Sequence, residues 1–434
     1  MVLSLAGQVV ISMITTNLSS QAAGVSRRAL LKYLGLSAAA TALPRAVAAL
    51  GAPSALAPAE SGSASSPAKN PQWYGFNLLE YFSTDPDWMK YFPYKNDGMF
   101  LEDDFRWIRD WGFNWVRLPM DYRFWTDSHN PFNMHEENVV PIDRAIRLGE
   151  KYGIHVNVCL HRAPGYCILD IMDEALTGIH VTKERTSVFA DSRTQDAFVY
   201  QWTYFADRYK GISSDKLSFN LVNEPLDLPT AAETEKAEET KPGQRHLKDY
   251  VRVARAAIDG IRKHDPQRLV IVDGYAGGTA AIPDLFDTHA MQSCHTYRPA
   301  QLTHYQCEWA RGTLTGSEPE PTWPLKDNTG NVISDREMLT RTFQPWGELA
   351  GQGVPIHFGE MGCYKHTPPQ VVLAWFSDTL SVLGELHTGW ALWNFRGPFG
   401  VLDTERPGTK YEKWHDHQLD RPLLNLLQQK MKSS

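Results

Sequence analysis

The feature that most constrains the fold of this chain is a regular alternation of strand-like and helix-like segments that starts near residue 71. Short apolar runs alternate with longer segments whose apolar residues recur at helical spacing. The strand-like runs cover residues 73–81, 115–119, 155–161, 217–225, 269–273, 291–297, 355–360 and 389–395. The helix-like segments cover residues 102–111, 142–152, 196–209, 247–264, 284–289, 335–351, 369–386 and 419–431.

Eight strand–helix units in succession are typical of a closed barrel of parallel strands surrounded by helices. An open, doubly wound sheet is the alternative, but the chain has no G-x-G-x-x-G fingerprint to support it. We therefore predict an α/β fold, a (β/α)8 TIM barrel, as a single catalytic domain over residues 71–434. Three long connections, 163–193, 226–245 and 298–334, would follow strands and wall a cleft at the C-terminal face.

The first seventy residues differ from the rest of the chain. Arg27 and Arg28 precede an Ala/Leu-rich run that ends in small residues, which is typical of a twin-arginine export signal over residues 1–50. Pro44 and Arg45 interrupt the run, so it is a poor membrane span. Residues 51–70 are rich in Ala, Ser and Pro and indicate a linker. We expect export to the periplasm or the medium, although a disordered basic N-terminus is the alternative.

Two glutamates stand at the C-terminal ends of predicted strands that are far apart in sequence. Glu224 is followed by Pro225, which cannot donate to a sheet ladder and so ends the strand. Glu360 is the last residue of the strand-like run 355–360. An α/β barrel carries its chemistry at this end of its strands. A glycosidase needs such a pair, because one carboxyl group protonates the leaving oxygen while the other attacks the sugar.

Other strand ends carry polar or aromatic side chains that would converge on the same pocket if the barrel closes. Taken singly, each of these residues fits a structural role in a core or an ion pair. Taken together, they indicate a site. They are Arg117, His161, Asn223, His295, Tyr297 and Trp393.

A metal site is a second interpretation, because His161 and His295 accompany the two glutamates. The chain has no H-E-x-x-H or similar local spacing, so we predict no metal.

Six short motifs, in order, resemble the signature set of glycoside hydrolase family 5, the cellulase family, from about residue 73 to residue 397. The resemblance implies a (β/α)8 barrel, a retaining mechanism and no cofactor, with Glu224 as acid/base and Glu360 as nucleophile. It also implies that Arg117, His161, Asn223, His295, Tyr297 and Trp393 support the reaction. The motifs are Trp115-Val116-Arg117-Leu118-Pro119, Leu160-His161, Asn220-Leu221-Val222-Asn223-Glu224-Pro225, His295-Thr296-Tyr297, Phe358-Gly359-Glu360 and Trp390-Ala391-Leu392-Trp393.

Chemistry assigns a part to each of these residues. Arg117 and Tyr297 would hold the negative charge of Glu360 by hydrogen bonds. Asn223 would bond the 2-hydroxyl of the sugar, a contact that strengthens in the transition state. Trp393 would stack on the reacting sugar. His161 and His295 would position hydroxyl groups and the acid.

The resemblance leaves the substrate open among β-linked polysaccharides and oligosaccharides. We favour an endo-β-1,4-glucanase. An exo-β-1,3-glucanase is an alternative because the segment 161–165 resembles that branch, and an endo-β-mannanase is another. A non-catalytic sugar-binding barrel is the alternative of a different class. The net charge of -7 gives no reason to expect nucleic acid as a partner. We expect a monomer without a membrane anchor in the mature form.

The chain has five cysteines, and their spacing matches no zinc pattern. Most are interpreted as small buried hydrophobic residues. Cys159 and Cys167 are close enough in sequence for a local disulfide in an exported protein, and we keep that bond as an alternative.

Overall fold

A computed structural model describes residues 70–90, 92, 99–127, 129–169, 187–226, 244–310 and 318–432. Its centre is a closed barrel of eight parallel strands, in which each strand pairs with its neighbours in chain order and the last returns to the first. Tyr74 of the first strand is registered with Trp390 of the last, and Gly75 with Trp115 of the second. The predicted (β/α)8 barrel is confirmed. The strands are β1 (Tyr74–Asn77), β2 (Trp115–Asp121), β3 (His155–Ala163), β4 (Leu217–Asn220), β5 (Leu269–Asp273), β6 (Met291–Thr296), β7 (Ile356–Met361) and β8 (Trp390–Leu392).

Helices follow most of the strands. The connection between β5 and β6 holds a four-residue helical segment, Tyr275–Gly278, and a 3₁₀ helix, Pro283–Thr288, where the sequence had indicated a short helix. The loops contain small antiparallel hairpins. One of them lies in the connection after β6 and pairs Leu325–Lys326 with Val332–Ser334. The longer helices are α1 (Glu102–Asp110), α2 (Glu136–Tyr152), α3 (Ser192–Arg208), α4 (Gln244–His264), α5 (Arg336–Gly351), α6 (Pro369–Glu385) and α7 (Arg421–Lys432).

Several boundaries differ from the sequence prediction, two of them by five residues or more. Helix α2 starts at Glu136, before Pro141, because Val139 is buried and anchors the first turn. Strand β4 ends at Asn220 instead of running to Pro225. The chain leaves the sheet there, and Glu224 adopts a left-handed backbone with φ +47°. That conformation is uncommon for a residue with a side chain and costs about 1–3 kcal/mol.

Successive side chains along a strand point alternately towards the surrounding helices and into the barrel. Val116 and Leu118 on β2 are fully buried in the apolar core, which also includes residues of the surrounding helices. Arg117, between them, points into the barrel and reaches side chains of β1 and β4. Because successive side chains of a strand face opposite sides, the polar residues that face inward collect on the barrel axis.

Tryptophan and histidine side chains fill the bottom of the barrel interior. Trp115 lies against His357 with ring centroids 4.6 Å apart. Trp73 stacks on His155 at 3.9 Å, and His155 Nε2 lies 2.7 Å from the hydroxyl of Ser218. Burial lowers the pKa of His155 to about 3 and that of His357 to about 4, so both rings are neutral at neutral pH. The interior is therefore closed below Arg117, and the site lies above it.

The alternative of a Cys159–Cys167 disulfide is wrong, since both thiols are free and buried. Cys167 lies in a two-residue strand that pairs with β3, and its partner there is Arg162, three residues beyond Cys159. The Cys159 sulfur instead lies 3.0 Å from Nη2 of Arg117 inside the barrel. A disulfide needs its two Cα atoms within about 7 Å and Cβ vectors that converge.

Among the described residues, no helix combines the length and apolar character that crossing a membrane requires. The export signal predicted for residues 1–50 lies outside the described residues, as does the linker predicted for residues 51–70 except for its last residue, Asn70. So do the central parts of the three long connections, 170–186, 227–243 and 311–317, which were expected to wall the cleft.

Candidate active site

The two strand-end glutamates meet at the C-terminal mouth of the barrel. Glu360 belongs to β7, and Glu224 follows β4 by four residues. A carboxylate oxygen of each, together with Nδ1 of His295, forms a cluster in which all atoms lie within 4.8 Å of one another. The Glu360 side chain is 4% exposed and that of Glu224 is 18% exposed. One carboxyl group is thus buried, and the other is open to solvent at the site.

Arg117 lies below this cluster in the barrel and stabilises it through hydrogen bonds. Its guanidinium donates to Glu360 Oε1 at 2.5 Å and to Asn223 Oδ1 at 2.7 Å. It also donates to Asn220 Oδ1 at 2.8 Å and to Asn77 Oδ1 at 3.0 Å. A buried charge must be paired and hydrogen-bonded, and a planar guanidinium can serve several acceptors at fixed angles. Arg117 therefore links the ends of four strands or strand extensions into one rigid array.

Glu360 is bonded on both oxygens. Tyr297 donates its hydroxyl to Oε2 at 2.9 Å, opposite the bond from Arg117 to Oε1. Burial raises the pKa of Glu360, while the charges of His295 and Arg117 oppose that rise. Burial and the charge of Glu360 raise the pKa of Tyr297 well above its usual value, so the phenol stays neutral and can only donate to the carboxylate. The geometry orients Glu360 for one role and leaves it little freedom to turn.

Glu224 is held through its backbone. Its N–H donates to Oδ2 of Asp273 at 3.1 Å. Its carbonyl accepts a hydrogen bond from the hydroxyl of Tyr166 at 2.6 Å, and the same hydroxyl accepts from the N–H of Leu226 at 2.8 Å. These bonds stabilise the left-handed conformation at Glu224 and aim its side chain at His295, whose Nδ1 lies 3.1 Å from Oε1.

His295 lies between the acidic groups. Its Nδ1 is 3.6 Å from Glu360 Oε2, and its Nε2 is 3.2 Å from Asp273 Oδ2. Burial alone would lower the pKa of His295, but Asp273, Glu360 and the hydrogen bond to Glu224 outweigh burial and raise it. The ring therefore carries a positive charge more readily than an ordinary histidine.

His161 and Trp393 form the aromatic side of the site. Their rings stack with centroids 5.9 Å apart, and Phe82 packs edge-on against both. Burial, with the charges of Arg117 and Arg162, lowers the pKa of His161 well below 6.5, so this ring is neutral.

Besides Nε2 of His295, which faces Asp273, two polar atoms at the site are buried without a hydrogen-bond partner in the described part of the chain. They are Nδ1 of His161 and the amide Nδ2 of Asn223. The Asn223 amide is oriented, because its oxygen is taken by Arg117. Unpaired buried polar atoms are costly in an isolated protein, so atoms like these are suited to the hydroxyl groups of a bound ligand.

The structure thus brings together all eight residues that the sequence singled out. It also shows contributors that the sequence analysis missed. Asp273 ends the predicted run 269–273, so the strand-end rule that selected Glu360 also points to it. Asn77 and Asn220 end β1 and β4 in the structure, but they lie inside the longer predicted runs 73–81 and 217–225, so that rule does not reach them. Tyr166 follows β3 in a short hairpin, and no motif marks it.

Glu224, His295 and Glu360 form the one cluster in the described ranges whose atoms are spaced for a metal ion. The Arg117 guanidinium, already 2.5 Å from Glu360, opposes a second cation at this place. The donor set therefore fits proton transfer better than metal binding.

A closed (β/α)8 barrel with two carboxyl groups facing each other at its C-terminal mouth defines a barrel glycoside hydrolase. The family model "Cellulase (glycosyl hydrolase family 5)" matches residues 65–397. The chain belongs to this family, and it is a glycoside hydrolase.

Three relatives illustrate the range of similarity. A crystal structure described as a glycoside hydrolase aligns with a TM-score of 0.69 and 35% sequence identity, over 83% of this chain and 99% of its own. Endoglucanase C of Acetivibrio thermocellus is 23% identical over 338 residues, which cover 73% of this chain and 90% of that protein. The sporulation-specific glucan 1,3-beta-glucosidase of Saccharomyces cerevisiae is 31% identical over 156 residues, 35% of this chain and 33% of that protein.

Proposed function

We propose that this glycoside hydrolase is a retaining β-glycosidase that cleaves β-1,4-linked glucan within the chain. The observation that carries the retaining mechanism is the separation of Glu224 and Glu360, whose oxygens lie within 4.8 Å. Retaining enzymes keep their carboxyl groups about 5–5.5 Å apart, whereas inverting enzymes need about 6.5–9.5 Å to admit a water molecule. The shorter spacing suits direct attack on the sugar.

In this mechanism Glu360 is the nucleophile, because it is buried, oriented from both oxygens and charged beside Arg117. Its oxygen bonds to the anomeric carbon as the glycosidic bond breaks, and Glu224 gives its proton to the departing oxygen. The glycosyl ester on Glu360 is then attacked by water. Glu224 takes a proton from that water, and Glu360 leaves as a carboxylate.

The remaining residues act on the sugar or on these two carboxyl groups. Asn223 offers its free amide N–H to the 2-hydroxyl, where a hydrogen bond strengthens as the transition state forms. Arg117 and Tyr297 stabilise the Glu360 carboxylate when it is regenerated. Trp393 stacks on the reacting sugar, and His161 beside it bonds a hydroxyl group.

The β-1,4-glucan preference is supported by the similarity to Endoglucanase C over most of that relative's length. The second candidate, an exo-β-1,3-glucanase, is supported by the shorter but more identical match to a glucan 1,3-beta-glucosidase. An endo-β-mannanase would use the same two glutamates. A non-catalytic sugar-binding barrel is disfavoured by the presence and spacing of both carboxyl groups.

A substrate panel tests this choice. Purified protein from residue 71 onward is incubated with carboxymethyl-cellulose, barley β-glucan, mannan and laminarin. We expect the viscosity of the 1,4-linked glucans to fall before much reducing sugar appears, because cuts within a chain shorten it faster than cuts at its ends. Steady release of glucose from laminarin without loss of viscosity would favour the exo-β-1,3 candidate, and hydrolysis of mannan alone would favour the mannanase.

We also propose that residues 1–50 direct export through the twin-arginine route, that residues 51–70 are a linker, and that the mature enzyme is an unanchored monomer. Changing Arg27 and Arg28 together to lysine should leave precursor in the cytoplasm, because this route requires the arginine pair. Immunoblots of cell fractions measure the effect, and normal export of the double variant would reject the signal.

A further inference from the structure

Asp273 is a buried carboxylate at the end of β5 that contacts three of the eight proposed site residues, Arg117, Glu224 and His295. Its side chain is fully buried. Oδ1 accepts from the amide of Asn220 at 2.8 Å. Oδ2 accepts from the N–H of Glu224 at 3.1 Å and lies 3.2 Å from His295 Nε2 and 3.4 Å from Arg117 Nη2. One oxygen atom thus joins the backbone of one proposed catalytic glutamate to both cationic groups of the site.

The contact with the Glu224 backbone is part of a wider support. The loop after β5 donates a second hydrogen bond to the same segment, from Gly277 N–H to the carbonyl of Pro225 at 3.3 Å. Tyr166 holds the Glu224 carbonyl from the other side. Because Glu224 has a left-handed backbone, loss of these bonds would let it relax and move its carboxyl group.

The interaction between Asp273 and His295 is electrostatic. Nε2 has no aligned hydrogen bond to any of the described residues, although Asp273 lies 3.2 Å away. The groups facing the ring are the carboxylates of Asp273, Glu224 and Glu360, the Arg117 guanidinium, and the neutral ring of His161. The carboxylate of Asp273 therefore favours a protonated ring, and a protonated ring donates through Nδ1 to Glu224.

We propose that Asp273 is a positioning residue, which fixes the backbone of Glu224 and keeps His295 charged, and so places the acid/base carboxyl group for proton transfer. This inference rests on the roles proposed for Glu224 and Glu360. The competing view is that Asp273 is only a buried counter-ion for Arg117.

Asp273→Asn separates the two views, because asparagine keeps the shape and loses the charge. The asparagine side chain also has only one acceptor oxygen, whereas in the wild type hydrogen-bond donors face both oxygens of Asp273. We expect kcat/KM on aryl β-cellobiosides to fall about 100-fold for poor leaving groups, the low end for loss of general acid catalysis. For a dinitrophenyl leaving group, which departs without a proton, the loss should be below about tenfold. The alkaline limb of the pH profile should move to lower pH, because the pKa of His295 falls when the negative charge is removed.

If Asp273→Asn lowers kcat/KM equally for all leaving groups and leaves the pH profile unchanged, the inference is overturned. Asp273 would then be only a buried counter-ion for Arg117. Tyr250→Phe is the matched control. The Tyr250 hydroxyl donates to the backbone carbonyl of Asp273 at 3.3 Å, and among the described residues it forms no hydrogen bond with a charged side chain. This variant should keep the wild-type dependence on leaving group and on pH.

A measurement on the unmodified enzyme covers the case in which Asp273→Asn does not fold. Nitrogen NMR of histidine-labelled protein, assigned with His295→Gln, should show the His295 ring protonated at pH 6.5, and a neutral ring would overturn the inference. Failure of the wild-type enzyme to cleave any aryl β-cellobioside would overturn the proposed function as well. Failure of the leaving-group test alone would leave that function intact.

Discussion

Replacing Glu360 by glutamine should lower kcat by between about 10⁴-fold and 10⁶-fold, the range found when a member of a covalent-catalysis unit is removed. The amide is nearly the same size as the carboxyl group, but it cannot form the glycosyl ester. It also faces the Arg117 guanidinium, 2.5 Å away in the wild type, with half of its former acceptor capacity. Reducing-sugar assays on the best substrate of the panel measure the loss, and melting temperature shows whether the barrel is intact.

Glu348→Gln is the control for this substitution. Glu348 lies on α5 with an exposed side chain, so the same chemical change there should leave kcat unaltered. A Glu360→Gln enzyme with near-normal turnover would reject Glu360 as nucleophile and, with it, the double-displacement mechanism.

Replacing Glu224 by glutamine should lower kcat/KM by about 10²-fold to 10⁴-fold on substrates with poor leaving groups, because general acid catalysis contributes about that factor. Activated aryl glycosides should lose far less in their first step. Burial raises the pKa of Glu360 above its usual value, and the acid limb of the pH profile follows ionisation of this carboxyl group. Glutamine is neutral, as Glu224 is while it holds the proton that it donates, so the acid limb should keep its position in the variant.

The stereochemistry of rescue distinguishes the two roles. In Glu224→Ala, azide can attack the glycosyl ester on Glu360, and two successive inversions give a β-glycosyl azide. In Glu360→Ala, azide takes the place of the nucleophile, and a single inversion gives the α-glycosyl azide. Proton NMR of the products reads the anomeric configuration directly. If Glu224→Ala gave the α-glycosyl azide and Glu360→Ala the β-glycosyl azide, the roles assigned to the two glutamates would have to be exchanged.

Much of the fold was predictable because it follows from local periodicity. Parallel strands buried on both faces are short apolar runs, and the helices around them show a 3.6-residue pattern, so the alternation from residue 71 indicated a barrel. The rule that barrels carry their chemistry at strand ends then selected Glu360 and Arg117 without knowledge of their neighbours.

Boundaries that depend on tertiary contacts were less predictable. Pro225 marked the region where β4 ends, but the strand stops at Asn220. The segment that follows bends to give Glu224 a left-handed backbone, which is stabilised by Asp273 and by Tyr166, a residue distant in sequence. No local pattern encodes such a bend, because the hydrogen bonds that stabilise it come from other strands and loops.

By itself, the sequence determined the barrel, the two carboxyl groups and the residue types around them, since these depend on periodicity and on chemical identity. Only the tertiary structure decided how the residues act on one another. It placed Arg117 on Glu360, His295 between three carboxylates, and Cys159 against Arg117 instead of in a disulfide. The physical reason is that charge and hydrogen bonding depend on distances of a few ångströms, and closure of the barrel sets those distances between residues up to 243 positions apart.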